Sequence, residues 1–386
     1  MSQPAFHPEI RELTLGYMPL LDSAALLWAG HRGHFQAAGL EVTLAREVSW
    51  ASLRDRLAYG ALDAALCLAP MPAAATLGAD QVGVPLVTGL TLAQNSAAIT
   101  FSHSMARQLG LSAGMSLADS ARAVATFIRA GGSLRLAHVF QFSMHHYLLR
   151  AWLAMGGLAG DDETGEIAGI RFSVVPPAQM VRHLESGAID GFCAGEPWNT
   201  AAMQGGLGVV IATAADIWDG GPDKVLGVTE AWARACPQTH RALIMAVLQA
   251  QRELAAGDCH DELVELLIRE RVLALPPEVL LASLRGEGAG SPPRFATGLE
   301  AFPRRSQLAW CAAQMLRWRQ WQGALDLSAL AERVCDVSAY ADAAAALGLP
   351  RPVQDGIVEG SGDVVLGGAG ETVRSRFSDG STFTIL

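Results

Sequence analysis

Six side chains and one glycine in this chain are of the types that can hold a small anion. The leading one is Lys224, the only lysine among 28 Lys and Arg residues. A small planar anion needs one fixed positive charge and several N–H donors. Lys224 lies in GGPDKVLGVTE, just after a Gly-Gly-Pro-Asp turn and at the entry to an apolar strand. That is a cleft-edge position rather than a helix surface. Its ammonium is a compact point charge, whereas an arginine fork would overfill a pocket for such an anion. A codon bias towards arginine accounts for the skew, and the competing reading of Lys224 is a solvated lysine paired with Asp223.

His145 lies in FQFSMHHYLLRAWL, where Ser143 can cap a helix and place His145 in its first turn. Helix N-termini favour anions, and the imidazole adds a donor; the alternative is a packed or surface histidine. Trp50 follows Ser49 and opens a short helix. Its indole N–H can donate while the ring excludes water; plain core packing is the commoner fate. Gly195, in CAGEPW, lets the backbone approach a ligand closely. Gln94 and Asn95 supply amide donors in a polar break, and His103 follows soon after.

Other chemistries find no support. The ten histidines include no H-E-x-x-H and no His/Cys cluster at ligand spacing. His145 and His146 are adjacent on a helix and point about 100° apart, so they cannot chelate one ion together. There is no Walker A pattern, no strand-linked G-x-G-x-x-G and no G-x-S-x-G elbow. We therefore expect no metal, no cofactor and no catalysis.

The elements that must position these residues alternate between strand and helix. Strands are expected at 12–18, 40–46, 62–68, 134–138, 171–175 and 189–193, and helices at 24–35, 50–59, 117–129, 143–155 and 177–185. Asp22 and Ser23 are expected to cap the helix at 24–35. Residues 84–101 form a β-rich stretch broken at 94–96 that can cross between lobes. From about residue 229 the pattern turns helical, at 229–257, 261–272, 277–285, 304–322 and 327–345. The Gly-rich tail 356–386 is left with two roles, a final packed strand or part of a partner surface.

One internal echo organises the whole. Residues 60–70 read GALDAALCLAP and residues 187–197 read GAIDGFCAGEP. Each follows an amphipathic helix that Gly can end, each has an Asp that can brace the turn, and each strand delivers its end to a loop. Ligands of open α/β sheets bind beyond the carboxyl ends of strands. Two such units point to an α/β protein of two lobes facing across a cleft. We assign residues 1–98 and 214–386 to one lobe, with the helical part and tail, and 99–213 to the other.

Bulk properties agree. A chain of 386 residues is long for a single core, and its 51% hydrophobic content supplies ample interior. A net charge of −10 disfavours direct contact with nucleic acid or anionic membrane. The six cysteines form no C-x-x-C pair and read as free thiols of a reducing compartment. The N-terminus, MSQPAFHPEIRELTLGY, carries no export-signal pattern. The expected location is the cytoplasm.

Taken together, PLLDSAALLWAGHRGHFQAAGLEVTLAREVSWASLRDRLAYGALDAA, FSMHHYLLRAWLAMGG, VVPPAQMV, GAIDGFCAGEPWN and DIWDGGPDKVLGVTEAWA resemble the nitrate- and bicarbonate-binding proteins of ABC transporters. The resemblance runs from about residue 12 to 345. It implies a type II periplasmic-binding-protein fold closing on an oxyanion. It also carries over four ligand positions, Trp50, His145, Gly195 and Lys224, and leaves Gln94, Asn95 and His103 competing for a fifth. The bicarbonate branch has an acidic residue and a metal where Lys224 stands, so the resemblance implies nitrate or nitrite without a required cation. With a cytoplasmic location the chain is similar to the NasS-type nitrate/nitrite sensors of assimilation operons. Those sequester an ANTAR-type RNA-binding antiterminator and release it on ligand binding; the partner, not this acidic chain, would touch RNA. A transport receptor of the same fold is the alternative. An enzyme resembling the thiamine-pyrimidine synthases is a remote third, since Cys67 and Cys193 stand isolated.

Overall fold

Short apolar runs bounded by glycine and proline become the strands of two large sheets and a small third one. The computed structural model describes residues 6–161, 163–287 and 292–385. In chain order the strands are β1 (Glu12–Tyr17), β2 (Glu41–Arg46), β3 (Ala64–Leu68), β4 (Leu86–Gln94), β5 (Ala97–Ser102), β6 (Leu134–His138) and β7 (Ile170–Val174). They continue as β8 (Gly191–Gly195), β9 (Gly208–Thr213), β10 (Trp218–Asp219), β11 (Pro222–Thr229), β12 (Arg294–Phe295), β13 (Gly362–Val365) and β14 (Thr372–Phe377). One six-stranded sheet runs β12-β4-β11-β3-β1-β2, a five-stranded sheet runs β7-β6-β8-β5-β9, and a small third sheet runs β10-β14-β13. Strand β1 is parallel to β2 and β3, while β11 is antiparallel to both β3 and β4. In the second sheet β6 is parallel to β7 and β8, while β5 is antiparallel to β8 and β9. Every residue of β3, AALCL, is buried, as expected of a strand covered on both faces.

The echoed units occupy matching places. Gly60 and Gly187 end the preceding helices at φ 74° and 69°, a left-handed conformation that glycine adopts without a Cβ penalty. Asp63 accepts the Thr14 N–H at 2.8 Å and Asp190 accepts the Arg135 N–H at 2.7 Å. The expectation that each aspartate braces its own turn is thus corrected. Glycine already closes the turn, and each carboxylate instead ties the incoming strand to its parallel neighbour, β1 in one sheet and β6 in the other.

The chain passes between the sheets at residues 95–96 and again at 214–221. Asn95, at φ 54°, joins the two passages. Its amide donates to the Trp218 carbonyl at 2.6 Å and its side-chain oxygen accepts the Gly220 N–H at 2.8 Å. The Gly-rich tail packs here as a strand: β14 pairs with β10, Trp218 opposite Phe377, and the Trp218 indole donates to Ser375 Oγ at 3.0 Å. A Cβ on Gly220 would lie 1.9 Å from the Arg374 carbonyl oxygen, so only glycine admits the tail this close. Beneath it the fully buried Arg304 pairs with the fully buried Glu359, Nε to Oε1 at 3.0 Å, and donates to the Gly220 carbonyl at 3.2 Å.

Several helices are shorter than expected. The helix at 24–35 splits into Ala24–His31 and His34–Ala37 around Gly33 at φ 74°. Asp22 and Ser23 cap neither piece; Ser23 Oγ donates to the Leu20 carbonyl at 2.6 Å, and Asp22 lies in the 3-10 turn Leu21–Ser23. The run at 229–257 divides at Cys236 into Glu230–Ala235 and Pro237–Ala256, because proline starts a new helix readily and continues one poorly. The run at 327–345 divides into Leu327–Val334 and Val337–Ala346, the second capped by Asp336 accepting the Ala339 N–H at 3.0 Å. No helix among the described residues is long and apolar enough to cross a membrane.

Candidate anion-binding site

Four chain segments converge between the two sheets. The turn Leu21–Ser23 follows β1, helix Trp50–Ala58 follows β2, helix Met144–Met155 follows β6, and β8 ends at Gly195. All lie beyond the carboxyl ends of strands, where open α/β sheets bind ligands. Ser49 and Ser143 cap the two helices by accepting the Ser52 and His146 N–H groups, each at 3.1 Å, which fixes Trp50 and His145 in first turns. The Leu21 N–H donates to the Glu196 carbonyl at 3.1 Å, joining one side of the cleft to the other. Strand β11 brings in Lys224. Its register against β4 slips on both sides of Lys224, and such a bulge re-aims a side chain out of the ladder.

Lys224 Nζ lies 2.7 Å from Asp223 Oδ1 and 3.1 Å from Asp22 Oδ2, with both lysine and Asp22 side chains 0% exposed. His145 Nε2 lies 3.9 Å from Asp223 Oδ1. The ammonium is 6.0 Å from the Trp50 ring centroid, at the limit of cation–π attraction. A Cβ built on Gly195 would stand 3.0 Å from Asp22 Oδ2, 3.7 Å from His145 Nε2 and 3.8 Å from Lys224 Nζ. The structure thus brings Trp50, His145, Gly195 and Lys224 into one buried cluster. The Trp50 indole nitrogen, both His145 nitrogens, Lys224 Nζ and both Asp22 oxygens have no hydrogen-bond partner among the described residues. The lysine contacts are ion pairs. Buried polar groups ordinarily find partners, so this concentration marks a place built to hold polar atoms.

The electrostatics follow from burial and this one cation. Burial pushes the His145 imidazole down to about 3, against the pull of Asp223, so the ring is neutral. Burial also opposes the charged form of Lys224, but Asp22 and Asp223 outweigh it and shift the lysine upward, keeping it an ammonium. Asp223 feels the same burial, overcome by Lys224 and His145, and stays below the usual carboxylate range. Asp22 is raised, because burial and the neighbouring Asp223 exceed the help of Lys224. Glu196, next to Gly195, is pushed up by burial to about 7.

The other three candidates make their hydrogen bonds outside this cluster or face solvent, although Gln94 Oε1 is buried without a partner among the described residues, beside the register partner of Lys224. Gln94 donates to the Glu300 carbonyl at 3.4 Å. Both polar atoms of the Asn95 side chain are used between the two crossings. His103 is exposed at the start of helix His103–Leu109. Conversely, Asp22 and Glu196 were not among the expected site residues. A signal for Asp22 existed: a carboxylate set among apolar residues in PLLDSAAL needs a buried polar or cationic partner. Among the described residues no group of three or more His, Cys, Asp or Glu side chains is arranged to hold a metal ion.

Residues 7–268 match the family model described as the NMT1-like family. The chain belongs to that family. Among curated relatives, this NMT1-like chain is 36% identical over 347 residues to the bicarbonate transport ATP-binding protein CmpC of Synechococcus elongatus, covering 88% of this chain and 50% of that one. It is 29% identical over 361 residues to the nitrate/nitrite binding protein NrtA of the same organism, covering 88% and 79%. The chain spans about half the length of the CmpC relatives it matches. The crystal structure of the periplasmic nitrate-binding protein NrtA from Synechocystis superposes with a TM-score of 0.84 at 26% identity, covering 97% of this chain and 96% of that one. The architecture is accordingly the two-lobed periplasmic-binding-protein fold.

Proposed function

We propose that this chain binds nitrate or nitrite around Lys224 and reports it to a partner as a sensor. The observation that carries the ligand reading is the buried ammonium with unpartnered donors on Trp50 and His145 converging on Gly195. A neutral imidazole, an indole N–H and an ammonium make a donor-rich, dry surround of the kind a weakly basic oxyanion needs. The similarity to NrtA supports the same ligand class. Binding rather than catalysis fits the thiols too: burial pushes Cys67 up to about 12 and raises Cys193 as well, leaving neither a nucleophile.

The sensor reading places the protein in the cytoplasm with an ANTAR-type RNA-binding antiterminator as partner. The net charge of −10 supports that division of labour, since RNA contact would fall to the partner. The match to half of CmpC supports a module of this kind working joined to other machinery. Oxyanion binding would shift the lobes towards a closed population that holds the partner less well. Linkage is reciprocal, so the partner must weaken ligand affinity by the same factor. Titration calorimetry with nitrate, with and without the antiterminator, tests this; a coupling of about 5- to 150-fold is expected. Equal affinities would instead favour a transport receptor, the reading to which the NrtA likeness over nearly the whole chain lends weight.

Gly195→Ala provides a test of the ligand position. The new methyl would sit 3.0 Å from Asp22 Oδ2. Overpacking of this kind costs about 1–3 kcal/mol. If the same space receives the oxyanion, nitrate affinity falls about ten- to hundred-fold in the titration, while urea unfolding shows only that modest loss of stability.

A further inference from the structure

We propose that Asp22 is a proton-carrying ligand of the oxyanion, so that the site takes up one proton with each nitrate it binds. The inference rests on the oxyanion reading above and adds a proton to it.

The argument starts from charge. Lys224 is held between two carboxylates, at 3.1 Å from Asp22 and 2.7 Å from Asp223. With both ionised the cluster carries a net negative charge before any ligand arrives. An anion brought into that dry space meets repulsion that water cannot screen. The repulsion disappears when one carboxyl holds a proton, and that carboxyl then turns from an acceptor into an O–H donor.

Geometry selects Asp22 for that role. Its Oδ2 is the nearest of the charged atoms around the Gly195 Cβ position, at 3.0 Å, and neither of its oxygens has a hydrogen-bond partner among the described residues. Asp223 is committed otherwise: it accepts from Ser96 Oγ, lies nearer the ammonium and faces His145 Nε2 at 3.9 Å. Glu196 Oε2 accepts the Thr200 N–H at 3.2 Å and Ser283 Oγ at 3.5 Å, so Glu196, unlike Asp22, has one oxygen already engaged. The titratable and charged groups facing Asp22 are thus Lys224 and Asp223 from β11, Glu196 beyond β8 and the neutral His145 from its helix; Ser96 faces it from the crossing. Burial lifts Asp22 above the ordinary carboxylate range, the direction in which a carboxyl holds a proton more readily.

The sign is fixed by linkage. An anion beside Asp22 raises its pKa further, so binding is tightest at low pH. Affinity falls, by up to tenfold per pH unit, as pH rises through the ligand-free value, and levels off above the ligand-bound one.

The test is nitrate titration calorimetry on the full chain from pH 5 to 9.5, each pH in two buffers of different ionisation enthalpy so that protons are counted. The wild type is expected to take up close to one proton per nitrate within part of that range. Asp22→Asn keeps a donor but cannot titrate, and is expected to bind nitrate with no uptake and with pH-independent affinity. Glu196→Gln is expected to retain the uptake. Wild-type binding without uptake at any pH overturns the proposal and leaves the oxyanion reading standing. Uptake that survives in Asp22→Asn, or is lost in Glu196→Gln, overturns it in favour of another carboxyl. No nitrate binding by the wild type at any pH overturns the oxyanion reading and this proposal with it. The proton count on the wild type decides the matter even if Asp22→Asn fails to fold.

Discussion

Lys224→Ala is expected to abolish practical nitrate binding and to destabilise the protein at neutral pH. Removing one partner of a buried, paired charge costs about 2–5 kcal/mol of binding. At 1.4 kcal/mol per tenfold, affinity should fall about 30- to 3,000-fold. The stability loss has a separate cause. Asp22 and Asp223 would remain buried beside each other with no cation, and stranded buried charges of this kind cost about 3–5 kcal/mol. That cost depends on pH. In the wild type Lys224 helps hold Asp223 below 3.8, the ordinary aspartate value, and this stabilisation is present above that value and lost as pH falls through the lowered one. In the variant the carboxyls rise instead, and protonated carboxyls need no cation. The gap between wild type and variant should be fully open at pH 7 and narrow as pH falls towards 4. Urea unfolding at the two pH values measures it; a gap of equal size at both would contradict the buried pairing.

Glu359→Ala is expected to loosen the molecule at the second crossing between the sheets. Arg304 and Glu359 are both fully buried, joined by contacts of 3.0 and 3.2 Å, and Ser306 Oγ donates to the same carboxylate at 2.6 Å. Alanine would strand a guanidinium in the interior at about 3–5 kcal/mol. It would also unsettle the carbonyl of Gly220, which accepts from Arg304 at 3.2 Å and Gln307 at 3.0 Å within the second crossing between lobes. The expected result is an unfolding free energy, measured in urea, lowered by that amount, with the double variant Arg304→Met/Glu359→Met recovering much of it, because two apolar groups leave no charge unpaired. A double variant as unstable as the sum of the singles would mean that the two residues act independently.

Local physics made much of this protein legible from its residues. The repeated Gly-Ala-apolar-Asp units, the serine caps before Trp50 and Met144, and the polar break at 94–96 depend on neighbours within a few positions, and short-range patterns report them well. What the residues concealed depends on long-range pairing. Asp22 looks like a helix cap because Asp before an apolar helix usually is one; its partner lies about two hundred positions away on β11. Asn95 looks like a ligand donor because it sits in the crossing segment, yet both its polar atoms serve the second crossing. The breaks at Gly33, Cys236 and Cys335 are set by single residues, Gly33 at φ 74°, Pro237 and the capping Asp336, which a reading by apolar periodicity passes over.

The position of β11 has a consequence for synthesis. It lies inside the six-stranded sheet, between β4 and β3, yet it arrives after every strand of the other sheet. Chains generally fold from the N-terminus as they emerge. The five-stranded sheet, drawn from one continuous stretch, can therefore mature while the six-stranded one still has a gap at its centre. During that interval β3 presents an apolar edge, the kind of surface on which chains pair wrongly. Closing the gap ends the exposure. The same strand delivers the lone lysine, so the gap in the six-stranded sheet closes as the charge arrives.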